Sequence, residues 1–195
     1  MRIGQPGSPG GRALPAVLAA VVVAVVVVLL TGRLNAHNEH STRQQARATR
    51  AAATTCVGAI RAGEQTAAAV ADKISAMAAT AGTGTVTQVR SALDEISATQ
   101  QPAQPDLAAC ATNRIAPSAC THSAGTLIQL AAAQYDQARL VLQATTDNAA
   151  KHTAAVTADL KSLTAARQKA QTLADSVDDG ACAELAGPAT GTSAP

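Results

Sequence analysis

The sequence predicts an all-α protein with one N-terminal transmembrane helix, followed by an Ala-rich helical bundle or a long antiparallel helical hairpin. Three observations carry that prediction. Residues 13–30, ALPAVLAAVVVAVVVVLL, hold no charged side chain. Beyond them, apolar residues recur at three- and four-residue spacing over long stretches, the period of one helix face. Capping and stop signals punctuate those stretches, and outside the short TVTQV segment no period-2 alternation persists to suggest a strand.

At 1.5 Å per helical residue, the uncharged run covers about 27 Å of hydrocarbon, enough to span a bilayer. It exceeds the apolar region of a cleavable signal peptide, typically about 7 to 15 residues. The nearest cleavage candidate, Leu34-Asn35-Ala36, places a bulky Leu at −3. An uncleaved signal anchor over residues 13–31 is therefore expected. Arg2 and Arg12 precede the span while Arg33, Arg43, Arg47 and Arg50 follow it, a count that by itself favours a cytoplasmic C-terminal side. Two arguments oppose it: the charge rule weakens when a long domain follows, and the downstream segment holds all four cysteines. The expected location is thus the cell membrane, single-pass, with residues 32–186 extracytoplasmic. Within the span, Ala16, Ala20 and Ala24 line one helix face at four-residue spacing, a pattern that lets two helix backbones approach closely.

Residues 1–12 and 187–195 are rich in Gly, Pro and small polar residues and read as disordered tails. Between span and tail, Ser41 with Gln44, Thr85 with Gln88 and Thr126 with Gln129 fit the capping box that marks a helix start. Gly82, the QQPAQP stretch of residues 100–105, and Gly180 read as stops. Helices are expected over residues 41–81, 86–99, 126–145 and 148–178. The break between the last two depends on residues 145–148, TTDN, which fit either a tight turn or the interior of one longer helix with Asp147 and Lys151 paired at i,i+4. The first alternative gives an up-down-up-down bundle and the second a long hairpin.

Heptad spacing defines the expected core. In the first segment Ala53, Cys56, Ile60, Ala67, Val70, Ile74, Met77 and Ala81 share one a/d frame with Gly63 as its gap, and Val86, Val89, Leu93 and Ile96 continue the spacing. A second frame runs Ile128, Ala131, Tyr135, Ala138, Leu142, Ala149, Val156, Leu163, Ala166, Ala170, Leu173 and Val177, with Thr145 and His152 as weak points. Charge adds a packing expectation. The basic stretch Arg33, Arg43, Arg47 and Arg50 beside the membrane is matched by acidic Asp175, Asp178 and Asp179 near the end of the last helix. In a four-helix arrangement these ends meet, and Arg50 and its neighbours relieve acids held at the negative end of a helix dipole.

Cys56, Cys110, Cys120 and Cys182 permit three pairings, and none shows the C-x-x-C spacing of a redox or zinc motif. The expected pairing staples Cys110 to Cys120 within the loop and ties Cys56 to Cys182.

Composition and motifs narrow the function. Tyr135 is the single aromatic residue of the chain, and the net charge is only +2. Base- and sugar-stacking platforms and a strong polyanion field are absent, so nucleic acid is not an expected partner. His37 and His40 in HNEH stand at metal-ligand spacing but lack further ligands, and His122 lacks an orienting group for a cysteine nucleophile. No catalytic, cofactor-binding or metal-binding residue is assigned, no cofactor is expected, and the chain is not expected to be an enzyme. The expected role is contact: an adaptor, accessory subunit or scaffold at the cell envelope, partnered by the membrane and by another envelope protein or a second copy through the span or the heptad faces. Alternatives are an extracytoplasmic module that binds a lipid or other apolar ligand, and an envelope-spanning helical rod resembling the inner-membrane component of phage lysis systems.

Overall fold

The computed structural model describes residues 14–187, with side chains from residue 41 onward except that of Asp179. Every regular element among them is helical: α1 (Leu14–Ala81), α2 (Val86–Gln100), a 3-10 turn (Gln101–Ala103), α3 (Gln104–Ala111), α4 (Ser118–Ala149), α5 (Thr153–Asp175) and α6 (Asp179–Ala186). The chain divides into two units between Arg47 and Ala48. Among the described residues no helix is long and apolar enough to cross a membrane. The run on which a span is expected, with Ala16, Ala20, Ala24 and the following Arg33, lies outside the described side chains, as do the N-terminal tail and residues 188–195.

In the second unit, the first heptad frame is the buried stripe of α1. Ala53, Cys56, Ile60, Val70, Ile74 and Met77 are buried, and Ala67 and Ala81 are half-buried. The gap at Gly63 is filled from outside. A Cβ there would lie 3.0 Å from Leu107 Cδ1 of α3 and 3.1 Å from Leu127 Cδ1 of α4, so the missing side chain makes room for two leucines. Dense Ser and Thr are accommodated because their hydroxyls donate to carbonyls one turn back: Thr54 to Arg50, Ser75 to Ala71, Thr99 to Glu95 and Thr172 to Gln168.

The α1–α2 corner follows the expected signals. After Ala81 the amides of Thr83 and Gly84 both donate to the Thr80 carbonyl. A Cβ on Gly84 would stand 2.6 Å from Thr80 Cγ2 and 2.9 Å from its carbonyl oxygen, which explains the glycine. Thr85 and Gln88 form the reciprocal capping box that starts α2, whose buried face is Val89, Leu93, Ile96 and Gln100.

Beyond α2 the structure corrects the expected outline. The QQPAQP stretch is helical: Pro102 and Pro105 lie in the first turns of the 3-10 element and of α3, where a missing N–H costs nothing. The α4 helix begins at Ser118, so Thr126 is buried in its interior and starts nothing. Ser41 likewise lies within α1 and not at a helix start. Residues 145–148 stay helical, the Thr145 hydroxyl donating to the Val141 carbonyl at 2.8 Å. The chain instead reverses over residues 150–152, where Lys151 adopts φ 61° and His152 precedes α5. Finally, α5 ends at Asp175 and α6 follows it, with Gly180 inside α6.

The α4 helix is central, touching α2, α3, α5 and α6. Its neighbours cover a wide arc, so the buried side chains run Cys120, Ala124, Leu127, Leu130, Gln134, Ala138 and Val141; Ala138 lies on the expected frame, while Leu127, Leu130, Gln134 and Val141 each lie one position before its members. Ile128, Ala131, Tyr135 and Leu142, which the expected frame placed at its centre, are half-buried at the edge. Two apolar clusters result. One joins the early part of the α1 stripe with α3, the start of α4, the end of α5 and Cys182. The other joins the end of α1 with α2 and the middle of α4. Both are built of small side chains, so polar clasps cross between helices: the Gln134 amide donates to the Ala67 carbonyl and the Gln100 amide to the Ala131 carbonyl, each at 2.8 Å.

Candidate functional site

All four cysteines are bridged, in a pairing different from the expected one. Cys56 of α1 bonds Cys110 of α3 across a Cα separation of 5.3 Å, and Cys120 of α4 bonds Cys182 of α6 across 4.8 Å. The physical reason is α3. It presents Cys110 from its last turn to α1, and the intervening reversal, in which Asn113 Oδ1 accepts the amides of Ile115 and Ala116, delivers Cys120 into the first turn of α4. The bridges close consecutive loops, residues 56–110 and 120–182, and all four sulfurs sit in the first apolar cluster.

Around this stapled end the charged residues take local roles. Asp178 caps α6 by accepting the Ala181 amide at 3.2 Å, and its carbonyl receives the Ser123 hydroxyl at 2.7 Å. Asp175 accepts the Gln171 amide at 2.8 Å. Arg50 makes no ion pair with Asp175 or Asp178. It lies instead beside Gly187, the residue that ends α6 with φ 76°, and a Cβ there would be 3.8 Å from Arg50 Nε. A cation at that place faces the negative end of the α6 dipole. Arg43 and Arg47 belong to the first unit, and the Asp179 side chain is outside the described set. Two large apolar side chains flank the stapled end in the open: Ile115, in the segment before α4, is 56% exposed and Leu185 of α6 is 52% exposed. Their neighbours Ala116 and Ala186 pack on the first cluster.

A second polar constellation lies where α4 turns into α5. His152 Nδ1 is 3.5 Å from Asp147 Oδ1, so Asp147 takes His152 and not Lys151 as its neighbour. Asp159 of α5 is buried, and its Oδ2 has no hydrogen-bond partner. Burial raises the Asp159 carboxyl above the ordinary aspartate range, and a hydrogen bond and like charge from Asp147 raise it further. Sequence spacing did not reveal the pair because its members are twelve positions apart across a reversal expected elsewhere.

No family model, curated protein or solved structure matches this chain. Among the described residues no group of three or more His, Cys, Asp or Glu side chains could hold a metal ion. His37 and His40 lie outside the described side chains, and His122 is exposed on α4. The arrangement offers a cross-linked end with exposed apolar side chains on it, suited to presenting a fixed surface.

Proposed function

We propose that this is a single-pass, membrane-anchored helical protein that acts without catalysis, through protein–protein contact, as an adaptor, accessory subunit or scaffold at the cell envelope. Its helical domain works on the extracytoplasmic side. The observation that carries the reading is the pair of disulfides. Structural bridges persist in oxidising compartments and are rare in the cytosol, while the uncharged run of residues 13–30 supplies a segment long enough to anchor the chain. Ile115 and Leu185, held open at the stapled end, supply contact surface. The envelope-spanning rod gains less support, because residues after Ala48 gather several helices around α4 and do not form one extended hairpin.

Crosslinking in the native membrane followed by mass spectrometry tests the proposal. A distinct envelope protein joined to residues near Ile115 or Leu185 is the expected result. Recovery of self-crosslinks alone would count against an adaptor role.

A further inference from the structure

A groove of about 560 Å³ runs between α1, α4 and α5, within the range of about 300–1,000 Å³ common for small-ligand sites. Its floor is apolar: Ile74, Leu130, Val141 and Ala170 are buried there and Leu163 is half-buried. The one buried polar group in the floor, Gln134, has its amide committed to the Ala67 carbonyl, so it does not call for a polar occupant. The rim is different. Arg167 of α5 is exposed, forms no ion pair among the described residues, and is the single charged residue lining the groove. No aspartate or glutamate lines it. Gln137 of α4, also on the lining, makes no side-chain hydrogen bond among the described residues. The shallow walls come from Ala71, Ala78 and Ala174, whose short side chains leave the space unfilled.

Ser75, Thr164 and Gln171 also line the groove, but each is committed within the fold, to the Ala71 carbonyl, the Leu160 carbonyl and the Asp175 carboxylate. A trough with an apolar floor, one unpaired cation and one uncommitted amide complements an amphiphile of a particular kind. We infer that the groove between α1, α4 and α5 binds a single-chain carboxylate amphiphile, its alkyl chain on the Ile74, Leu130, Val141 and Leu163 floor and its carboxylate on Arg167. A guanidinium fork matches a carboxylate in two parallel hydrogen bonds, which selects the acid over its neutral alcohol. The inference deepens the expectation that this domain can hold an apolar ligand and rests on it, while remaining independent of the contact role proposed above.

The test uses the full chain in phosphatidylcholine nanodiscs and two probes, a photoactivatable diazirine myristate and the corresponding tetradecanol, with adducts mapped by peptide mass spectrometry. Myristate adducts are expected within residues 71–78, 130–141 and 163–174. Arg167→Gln should lower myristate labelling there about tenfold and leave tetradecanol labelling unchanged. Ala78→Leu, a substitution at an exposed position that fills the groove, should lower labelling by both probes. Equal labelling by both probes with no effect of Arg167→Gln would overturn the carboxylate inference while leaving an apolar ligand standing. Adducts of neither probe in the groove would overturn both.

Discussion

Gly63 of α1 lies directly beneath Leu107 of α3, so close that a Cβ on the glycine would stand 3.0 Å from Leu107 Cδ1. Leu127 of α4 crowds the same spot at 3.1 Å. The three helices meet here because one of them has no side chain. Gly63→Val is expected to lower stability by about 2 kcal/mol, since the added methyls meet two interlocked leucines in a packed cluster. Gly58 on the same helix is the control: nothing stands within 4 Å of its Cβ. Gly58→Ala should raise stability by about 0.5–1 kcal/mol through helix propensity alone. Urea titrations under non-oxidising, non-reducing conditions measure both.

The two bridges should matter more than any single core side chain. Closing loops with sequence separations of 54 and 62 removes chain entropy from the unfolded state worth about 4 kcal/mol each in the loop-closure account. Replacing Cys120 and Cys182 by Ser should release α6, which is only eight residues long. Amide exchange would then show faster exchange over residues 179–186, with α2 little changed. Replacing Cys56 and Cys110 should instead loosen α3. Uniform loss of protection in both variants would show that the two bridges do not act on separate elements.

Asp159 supplies a pH dependence whose sign is fixed by its direction of shift. Its carboxyl is raised in the folded chain, chiefly by burial and further by Asp147, so the fold favours the protonated form. The stabilisation is fully present below the ordinary aspartate range and is lost as pH rises through the higher folded value. Urea midpoints should therefore fall from about pH 4 upward over the range in which this group ionises. Asp159→Asn keeps a neutral group that can donate to Asp147, and this fall should be diminished in the variant. A variant whose midpoint tracks the parent across that range would show that the Asp159 carboxyl contributes nothing to the pH dependence.

The buried glutamines give a further check on a core made of small residues. Gln134 reaches from α4 to the Ala67 carbonyl of α1, and Gln100 from α2 to the Ala131 carbonyl of α4. Either one changed to Ala should lose about 1–2 kcal/mol, combining a lost hydrogen bond with lost packing. Thermal melts of the two single variants and the double would measure it, and near-additive losses are expected for clasps that share no partner.

Much of this fold was legible where one helix face met one core. The α1 stripe from Ala53 to Ala81, including its gap at Gly63, and the Thr85–Gln88 cap of α2 follow from spacing and capping alone. The reading failed where a second signal competed. Pro102 and Pro105 read in the sequence as breakers, although proline in a first turn begins a helix as readily as it ends one, and that reading leaves no place for α3. Without α3, the spacing of Cys110 and Cys120 suggests loop partners. Their proximity is real, Cys110 Sγ lying 3.6 Å from the Cys120 carbonyl oxygen, but each is bonded to another helix. On α4 the frame followed the largest apolar residues, whereas a helix covered by several neighbours buries Ser123, Thr126 and Gln134 as well. The reversal at Lys151 carries no glycine or proline, so neither of the strongest local breakers marks it.

We propose that a disulfide-stapled helical domain stands on the oxidising side of a membrane. Alkylation of intact native membranes, followed by non-reducing digestion and mass spectrometry, tests it most directly. No alkylated cysteine and two cross-linked peptide pairs, Cys56 with Cys110 and Cys120 with Cys182, are expected. Four alkylated thiols in native material would contradict both the stapled fold and the extracytoplasmic location.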